Sequence, residues 1–277
     1  MPYKKVTLYI PCYNAEKYII KCLEGVLRQT YPIDEILIID DGSTDKTVEI
    51  ALNYPVKIIK HGKNKGLAAA RNTAFKNAKN EYVAALDADC VPEPDWLEKL
   101  MENFTDDIVG VGGKLIEKYT NTLADKWRAV HMRQHWGDKK IVNPPFLHGC
   151  NNVYRKDIIE EIGFYDEKFR TNAEDVDLCR RLRRKGYNFI YEPKAIVKHL
   201  RKDNVFSVLN TYWRYHNPTP SLHTIFKLAK KMLSNFLWAS YLITIDAKHK
   251  KFDLILIDFI LPFYLSKIAI LEYVKGR

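Results

Sequence analysis

The sequence predicts an α/β fold: a mostly parallel central sheet flanked by helices, followed by a C-terminal helical extension. Three short apolar runs, at residues 6–10, 36–39 and 82–86, have the length and composition of buried parallel strands. The segments between them space their apolar residues as helices do. This strand–helix alternation is typical of a parallel sheet with right-handed crossovers. Since no Gly-x-Gly-x-x-Gly follows the first run and no Gly-Lys-Ser/Thr loop occurs, dinucleotide-binding and P-loop enzymes are disfavoured.

The elements of the first 86 residues can be placed in order. Pro11 closes the first strand, and Ser43 or Thr44 is suited to cap the helix that follows the second strand. The predicted order is a strand at 6–10, a helix at 15–29, a strand at 36–39, a helix beginning near residue 46, a strand at 56–60, an Ala-rich helix at 65–78 and a strand at 82–86.

The pattern is weaker between residues 110 and 149. We expect a strand at 109–118 that crosses the sheet edge, and a helix at 122–136. His131 and His135 lie four residues apart on that helix and could face one metal ion. No Glu adjoins His131 and no third ligand is evident, so exposed helix surface is the favoured interpretation. The role of residues 119–146 stays open.

Two carboxylates follow the strand at 82–86. In extended geometry Asp87 and Asp89 point to the same side, at the carboxyl end of a strand, where open α/β sheets bind ligands. A divalent cation would relieve their mutual repulsion, and oxygen ligands of this kind suit Mg²⁺ or Mn²⁺. A second triplet stands at Asp175-Val176-Asp177. An Asp-x-Asp triplet alone is weak evidence, and a solvated strand end is the alternative.

Composition separates the chain into two predicted domains, 1–200 and 201–277. Of the net charge of +10, the second domain carries +7, from 12 Lys/Arg and 5 Asp/Glu. This bias suits an anionic partner such as a membrane surface, with plain solubility as the alternative. The five cysteines are odd in number and lack a Cys-x-x-Cys motif, which favours reduced thiols over a disulfide frame. No signal peptide precedes the first strand, so we expect a cytoplasmic location.

The extension contains two apolar stretches, 233–245 and 254–265. Both are shorter than the ~20 apolar residues of a membrane-spanning helix. Three interpretations stay open for residues 222–277: helices lying peripherally in a membrane interface, helices packed on the catalytic domain, or the seam of a homodimer.

Five motifs stand out in the first 200 residues. They are Pro11-Cys12-Tyr13-Asn14-Ala15-Glu16, Ile38-Ile39-Asp40-Asp41-Gly42-Ser43-Thr44-Asp45, Asn64-Lys65-Gly66 with Ala70-Arg71-Asn72, Leu86-Asp87-Ala88-Asp89, and Glu174-Asp175-Val176-Asp177-Leu178 with Arg181. In order and spacing, these motifs resemble family 2 glycosyltransferases. The resemblance implies a nucleotide-diphospho-sugar transferase (GT-A-like) fold, a divalent metal cofactor (Mn²⁺ or Mg²⁺) and inversion at the sugar carbon.

The resemblance also implies roles for individual residues. Asp41 would accept a hydrogen bond from the base, and Arg71 would reach ribose or phosphate. Asp89, with or without Asp87, would hold the metal, with His199 as a third ligand. Asp175 would be the general base, while Asp177 orients or caps. The implied donor-nucleotide positions are Pro11, Tyr13, Asn14, Asp41, Gly66, Arg71 and Ala88, and the implied sugar and acceptor pocket is Gly149, Asn151 and Glu174.

Several of these positions have a structural alternative. Asp41 and its neighbours could form an ordinary strand-to-helix turn, because Asp and Gly favour turns. Arg71 could make a surface ion pair, and His199 could be a structural histidine. Gly149 could belong to a plain turn that leads into a strand.

The predicted function is transfer of a hexosyl or N-acetylhexosaminyl group from a nucleotide-diphospho-sugar, a UDP-sugar being favoured over a GDP-sugar. The acceptor is expected to be a saccharide or a lipid-linked envelope saccharide. The alternative is a catalytically silent nucleotide-sugar-binding or scaffolding protein of the same fold. A sugar-phosphate nucleotidyltransferase would need a Gly-rich basic loop after the first strand. Nucleic acid is not an expected partner, because the basic run at 180–185 suits the C-terminal end of a helix.

Overall fold

The computed structural model describes residues 3–217 and 224–275. The chain divides into two compact units, one comprising residues 1–118 and 134–201, the other residues 119–133 and 202–277. The boundary predicted at residue 200 differs from this division in the segment 119–133. This segment groups with the second unit because Trp127 is fully buried in the core of that unit.

The described residues form nine strands and ten helices. The strands are β1 (Val6–Cys12), β2 (Glu35–Asp40), β3 (Lys57–Lys60), β4 (Tyr82–Leu86), β5 (Cys90–Pro92), β6 (Ile108–Glu117), β7 (Ile141–Val142), β8 (Asn151–Arg155) and β9 (Asn188–His199). The helices are α1 (Ile19–Val26), α2 (Thr47–Ala51), α3 (Leu67–Asn77), α4 (Trp96–Met101), α5 (Leu123–His131), α6 (Lys156–Glu161), α7 (Glu174–Arg184), α8 (Val205–His216), α9 (Ile225–Lys248) and α10 (Ile255–Lys275).

The strands of the first unit form one mixed sheet in the order β3-β2-β1-β4-β8-β6-β9-β5, with β7 paired to β9. The half built from β1 to β4 is parallel, as predicted. Beyond it, β8 runs antiparallel to both β4 and β6, whereas β9 runs parallel to β6 and antiparallel to β5. The predicted α/β class with a largely parallel sheet and a helical extension is confirmed.

One strand expectation was wrong. The strand predicted at 109–118 to cross the sheet edge is β6, which lies inside the sheet between β8 and β9. Glycines allow this close approach: a Cβ on Gly110 would lie 2.4 Å from the ring of Tyr154, and one on Gly113 would lie 2.2 Å from the carbonyl oxygen of Ala195. The neighbouring strands therefore occupy the space that side chains would need.

Both faces of the sheet are covered, which explains the unbroken apolar runs in the sequence. Every residue of β1 is buried. Leu8 and Ile10 belong to one core, to which α1 and α4 contribute, whereas Tyr9 belongs to a second core, with side chains of α3 and α7. Since alternate strand residues point to opposite faces, a strand buried on both sides reads as continuous rather than alternating hydrophobicity.

The second unit has a core of its own. Side chains of α5, α8, α9 and α10 meet around Trp127, Tyr212, Leu242 and Leu261. Within residues 3–217 and 224–275, no helix combines the length and the hydropathy needed to cross a bilayer. Of the segment 222–277 singled out in the sequence, residues 222, 223, 276 and 277 lie outside the described part.

Gly66 sets the start of α3. Its φ of 100° and ψ of 164° lie in a region that is essentially restricted to glycine. A Cβ at this position would lie 2.8 Å from the carbonyl oxygen of Arg170. The helix predicted at 65–78 therefore begins at Leu67, immediately after this extended residue.

Replacing Gly66 with alanine is expected to lower the free energy of unfolding by about 2–3 kcal/mol, because the new Cβ adds both backbone strain and a clash with backbone. Gly62→Ala is the matched control, since nothing lies within 4 Å of its Cβ position and it should change stability by less than about 0.5 kcal/mol. Denaturant unfolding of the two variants checks this, and equal stability would contradict it.

Candidate functional site

A cleft opens where β1 and β4 end. The two strands are parallel neighbours, so the residues that follow them meet at one edge of the sheet. Of the predicted site residues, the structure brings six together in the lining of this cleft: Pro11, Tyr13, Asn14, Asp87, Ala88 and Asp89. Three further residues, to which the sequence analysis gave no site role, complete the lining: Ala15, Tyr18 and Leu67.

The loop after β1 is held by its neighbour after β2. Asn14 adopts a left-handed backbone (φ 53°), and its side-chain Oδ1 accepts a hydrogen bond from the Thr44 amide at 2.8 Å. In return, the Asn14 amide donates to Ser43 Oγ at 3.0 Å. These two hydrogen bonds hold the loop that carries Tyr13, which lines the cleft and is 54% exposed.

Strand register brings the predicted metal ligands together. His199 at the end of β9 lies opposite Cys90 in β5 and opposite Glu117 in β6. Its Nε2 lies 3.2 Å from Asp89 Oδ2, and its Nδ1 lies 2.9 Å from Glu117 Oε2. His199 is buried, so the imidazole is clamped between two carboxylates.

The charges of this group fit a cation. Burial lowers the pKa of His199, but the charges and hydrogen bonds of Asp89 and Glu117 outweigh it and raise the value to about 9. Despite its own burial, Asp89 has a pKa lowered to about 2 by His199. A histidine that ligates a metal usually gives its other ring N–H to a carboxylate, which is the position of Glu117. The second oxygen of Glu117 is buried without a partner. Because the raised pKa leaves His199 protonated at neutral pH, a divalent ion held by Asp89 and His199 Nε2 would displace the ring proton, with Glu117 orienting the ring.

Arg71 lies at the centre of the polar network beside the cleft. Its side chain is 1% exposed. Nε donates to Glu174 Oε1 at 3.2 Å, and Nη2 donates to Asp87 Oδ1 at 3.2 Å. Nη1 donates to the carbonyl oxygen of Gly149 and, at 3.3 Å, to the hydroxyl of Tyr9. Asp87 is therefore paired with Arg71, whereas Asp89 is paired with His199.

Asp175 is connected to this network through Gly149. Its Oδ2 accepts a hydrogen bond from the Gly149 amide at 2.9 Å, and Oδ1 accepts from the Val176 amide. Burial raises the pKa of Asp175, although the hydrogen bonds and Arg71 oppose the rise. Burial and the charge of Asp175 raise the pKa of Glu174 to about 7. Asp177 is turned away, pairing with Arg180 and Arg181.

Four of the predicted site residues make contacts within the protein that differ from the expected ones. Both oxygens of buried Asp41 are used: Oδ1 accepts from the Lys65 amide and contacts His61, and Oδ2 accepts from the Gly66 amide. Asp41 thus fixes the start of α3 rather than presenting a free carboxylate, and Gly66 is its buried partner. Arg71 is not exposed to a phosphate, because carboxylates and carbonyls take up its donors. Asn151 is fully buried on β8, where its Oδ1 accepts from Trp96 Nε1 at 2.7 Å.

Glu117 is the main residue that the sequence did not single out. It is the last residue of a strand, with no flanking motif, and its role depends on the register between β6 and β9. His61, which holds Asp41, was missed for the same reason: twenty residues separate the pair in the sequence.

The sequence is similar to known proteins over most of the first unit. The model of Glycosyl transferase family 2 matches residues 7–163. The chain is 30% identical over 207 residues to a glycosyltransferase, AglE, of Haloferax volcanii, spanning 70% of this chain and 66% of that protein. It is 29% identical over 206 residues to a poly-beta-1,6-N-acetyl-D-glucosamine synthase of Staphylococcus aureus, spanning 69% of this chain and 48% of the synthase. Less than two thirds of each relative's length is therefore matched.

Solved structures with the same fold include two that hold nucleotide-sugars. A mannosyltransferase from Pyrobaculum calidifontis, in complex with GDP-Man and Mn²⁺, has a TM-score of 0.58 at 18% identity, covering 99% of this chain and 76% of that one. The Staphylococcus aureus TarS fragment in complex with UDP-GlcNAc has a TM-score of 0.56 at 20% identity, covering 76% and 65%. These similarities establish a GT-A-like fold.

Removing the charge of Glu117 is expected to weaken Mn²⁺ binding by about 10–100-fold, because this carboxylate orients the His199 ring and raises its basicity. The comparison is Glu117→Gln against Glu192→Gln, a buried glutamate on β9 that contacts Lys140 instead. Isothermal titration of metal-free protein with Mn²⁺ measures the effect. Equal affinities in the two variants would remove Glu117 from the site.

Proposed function

This chain belongs to glycosyl transferase family 2, and we propose that it is an inverting glycosyltransferase using a nucleotide-diphospho-sugar donor. The sugar would be a hexosyl or N-acetylhexosaminyl group, and the acceptor a hydroxyl. The observation that carries the proposal is the junction at Arg71. Through its contacts with Asp87 and Gly149, this residue couples the acids after β4 to the carboxylate of Asp175.

The donor would bind in the cleft after β1 and β4. Tyr13 offers an exposed aromatic face on which a nucleotide base can stack, and such stacking is typically worth about 1–3 kcal/mol per base. Pro11, Asn14 and Ala88 shape the same cleft. We propose a UDP-sugar before a GDP-sugar, since TarS binds UDP-GlcNAc and a related chain makes a poly-N-acetylglucosamine.

Asp89 and His199 would hold Mn²⁺ or Mg²⁺, with Asp87 beside them. Such an ion supplies Lewis-acid stabilisation to a diphosphate leaving group. The chain's own contribution is to orient the imidazole through Glu117 and to hold Asp87 away from Asp89 through Arg71.

Asp175 would act as the general base. It would take the proton of the acceptor hydroxyl while that oxygen forms a bond to C1 of the sugar. The bond from C1 to the phosphate oxygen breaks, and the nucleoside diphosphate leaves with the electron pair. A single displacement of this kind inverts C1. Because burial raises the pKa of Asp175, the carboxylate is a stronger base than an exposed aspartate. Gly149 and Glu174 adjoin it and would line the sugar side of the pocket.

The helical unit is proposed to rest on the cytoplasmic face of a membrane, where a lipid-linked envelope saccharide could be the acceptor. Supporting observations are its net positive charge and the exposed apolar side chains of α9 and α10. The unpaired state of all five cysteines fits the same side. The most exposed of these side chains include Phe226, Leu233, Leu237, Phe259 and Val274.

Asp175→Asn is expected to lower kcat by about 10²–10⁴-fold while leaving donor affinity nearly unchanged, since the amide cannot take the acceptor's proton. The matched control is Asp177→Asn, whose carboxylate pairs with Arg180 and Arg181 outside the network. Donor binding is found first by a thermal-shift screen of nucleotide diphosphates and their sugars with Mn²⁺, and transfer is then assayed on the donor that binds.

Full activity of Asp175→Asn would refute the assignment of the base. Nucleotide binding by the unmodified chain, without transfer to any acceptor, would favour a silent binding protein instead.

Leu233→Glu combined with Leu237→Glu, one turn apart on α9, is expected to weaken vesicle binding at least about tenfold, because two exposed leucines leave the apolar face. Leu52→Glu, equally exposed in the first unit, is the control. Co-sedimentation with phosphatidylglycerol–phosphatidylcholine vesicles measures binding. Point variants are preferable to deleting residues 222–277, since the deletion would remove the side chains of α9 and α10 that pack in the core around Trp127. Vesicle binding unchanged by the double variant would leave packing or a homodimer seam as the role of this face.

A further inference from the structure

The helical unit contains a group of buried ionisable side chains that sugar transfer does not use. His131 on α5, Asp246 on α9 and Asp258 on α10 place one nitrogen and two carboxylate oxygens within 4.8 Å of one another. Both aspartates are fully buried. The expectation that His131 lies on exposed helix surface, near His135, was wrong: α5 ends at His131, and the imidazole is 6% exposed.

The hydrogen bonds of this group are incomplete. His131 Nε2 lies 2.8 Å from Asp246 Oδ2, and Trp127 Nε1 donates to Asp258 Oδ1 at 2.7 Å. The other oxygen of each aspartate is buried without a hydrogen-bond donor. Buried carboxylate oxygens of this kind are costly unless a cation or a proton satisfies them.

Charge balance also calls for a cation. In the part of the chain that the structure describes, neither aspartate forms an ion pair with Lys or Arg. Asp246 lies in the last turn of α9, the helix end at which a negative charge is disfavoured. Two ionised carboxylates and a neutral imidazole would carry a charge of −2 in a buried site. A divalent ion neutralises that charge.

We propose that His131, Asp246 and Asp258 form a second metal site, for a divalent transition metal of the zinc type, that fastens α5, α9 and α10 together. One imidazole nitrogen and two carboxylate oxygens form a borderline ligand set that suits Zn²⁺, Co²⁺ or Ni²⁺ better than Ca²⁺ or Mg²⁺. Three protein ligands leave room for one water. Trp127 would orient Asp258 through the oxygen that the metal does not need.

The competing explanation is a shared proton. Burial and the neighbouring Asp246 raise the pKa of Asp258 to about 6, so that metal-free protein can hold the two carboxylates together through one hydrogen bond. A proton satisfies the two free oxygens but leaves His131 as an ordinary partner of Asp246. The two explanations differ in stoichiometry of metal binding.

The test uses the full chain, stripped with a chelator, dialysed and titrated with Zn²⁺ against a chromophoric competitor. The unmodified chain is expected to bind two equivalents, one at each site. His131→Gln and Asp258→Asn, which keep hydrogen-bonding groups in place, should each lose one equivalent, with affinity at that site at least about 100-fold weaker. Asp253→Asn, an exposed aspartate near the start of α10, is the control and should keep both.

Asp89→Asn separates this site from the proposed donor site. This variant should lose the Zn²⁺ equivalent bound at the donor site. The double variant of Asp89→Asn and Asp258→Asn should lose both equivalents. In Asp89→Asn, Co²⁺ in place of Zn²⁺ should give visible absorption that disappears when His131→Gln is added. At a 100-fold excess over Kd, Zn²⁺ should raise the unfolding midpoint of Asp89→Asn by about 5 °C or more, but not that of the double variant with Asp258→Asn.

Equal Zn²⁺ stoichiometry and affinity in the unmodified chain, His131→Gln and Asp258→Asn would overturn the second site and favour the shared proton. A single equivalent in the unmodified chain, lost in Asp89→Asn but kept in His131→Gln and Asp258→Asn, would have the same meaning, while leaving the donor site intact. Circular dichroism of each variant shows that the helices are retained, so that a loss of metal cannot be ascribed to unfolding.

Discussion

The buried guanidinium of Arg71 is the interaction on which the candidate site depends. A buried arginine is tolerated when its donors are satisfied, and here they contact a carboxylate on each of two sides, a carbonyl and a tyrosine hydroxyl. These acceptors come from α7, the end of β4, the loop before β8 and β1. Removing one partner of such a pair typically costs about 3–5 kcal/mol, because the other charge stays buried. The acids are therefore positioned by the same group that compensates their charge.

Within this arrangement, neighbouring carboxylates have different partners. Asp87 is held by Arg71, whereas Asp89 two residues later is held by His199. Glu174 contacts the guanidinium directly, whereas Asp175 is held through the amide of Gly149. In each pair, one carboxylate forms an ion pair with Arg71, and its neighbour is left for the role that we propose.

Strand register supplies the second constraint. β5 begins where β6 and β9 end, so that Cys90, Glu117 and His199 are cross-strand neighbours and Asp89 adjoins the imidazole. The helical unit repeats the chemistry with different geometry, since His131 also meets two carboxylates, contributed by separate helices. Beside Asp89, the protonated His199 compensates the acid, since its pKa is raised to about 9. Burial lowers the pKa of His131, so that the charge of Asp246 and Asp258 is left to the proposed cation.

The sequence by itself determined the fold class, the order of strands and helices up to β4 and the family, because apolar periodicity and local motifs depend on residues close together in the chain. It also indicated Tyr13, Asp89, His199 and Asp175, which adjoin strand ends or open a helix. Only the tertiary structure decided which atoms are available. Asp41, Arg71 and Asn151 have the right chemistry, yet buried partners from distant segments use their hydrogen-bonding groups. Glu117 and the contact of His131 with Asp246 depend on strand register and helix packing, which link residues 82 and 115 positions apart, and no local pattern encodes such pairings.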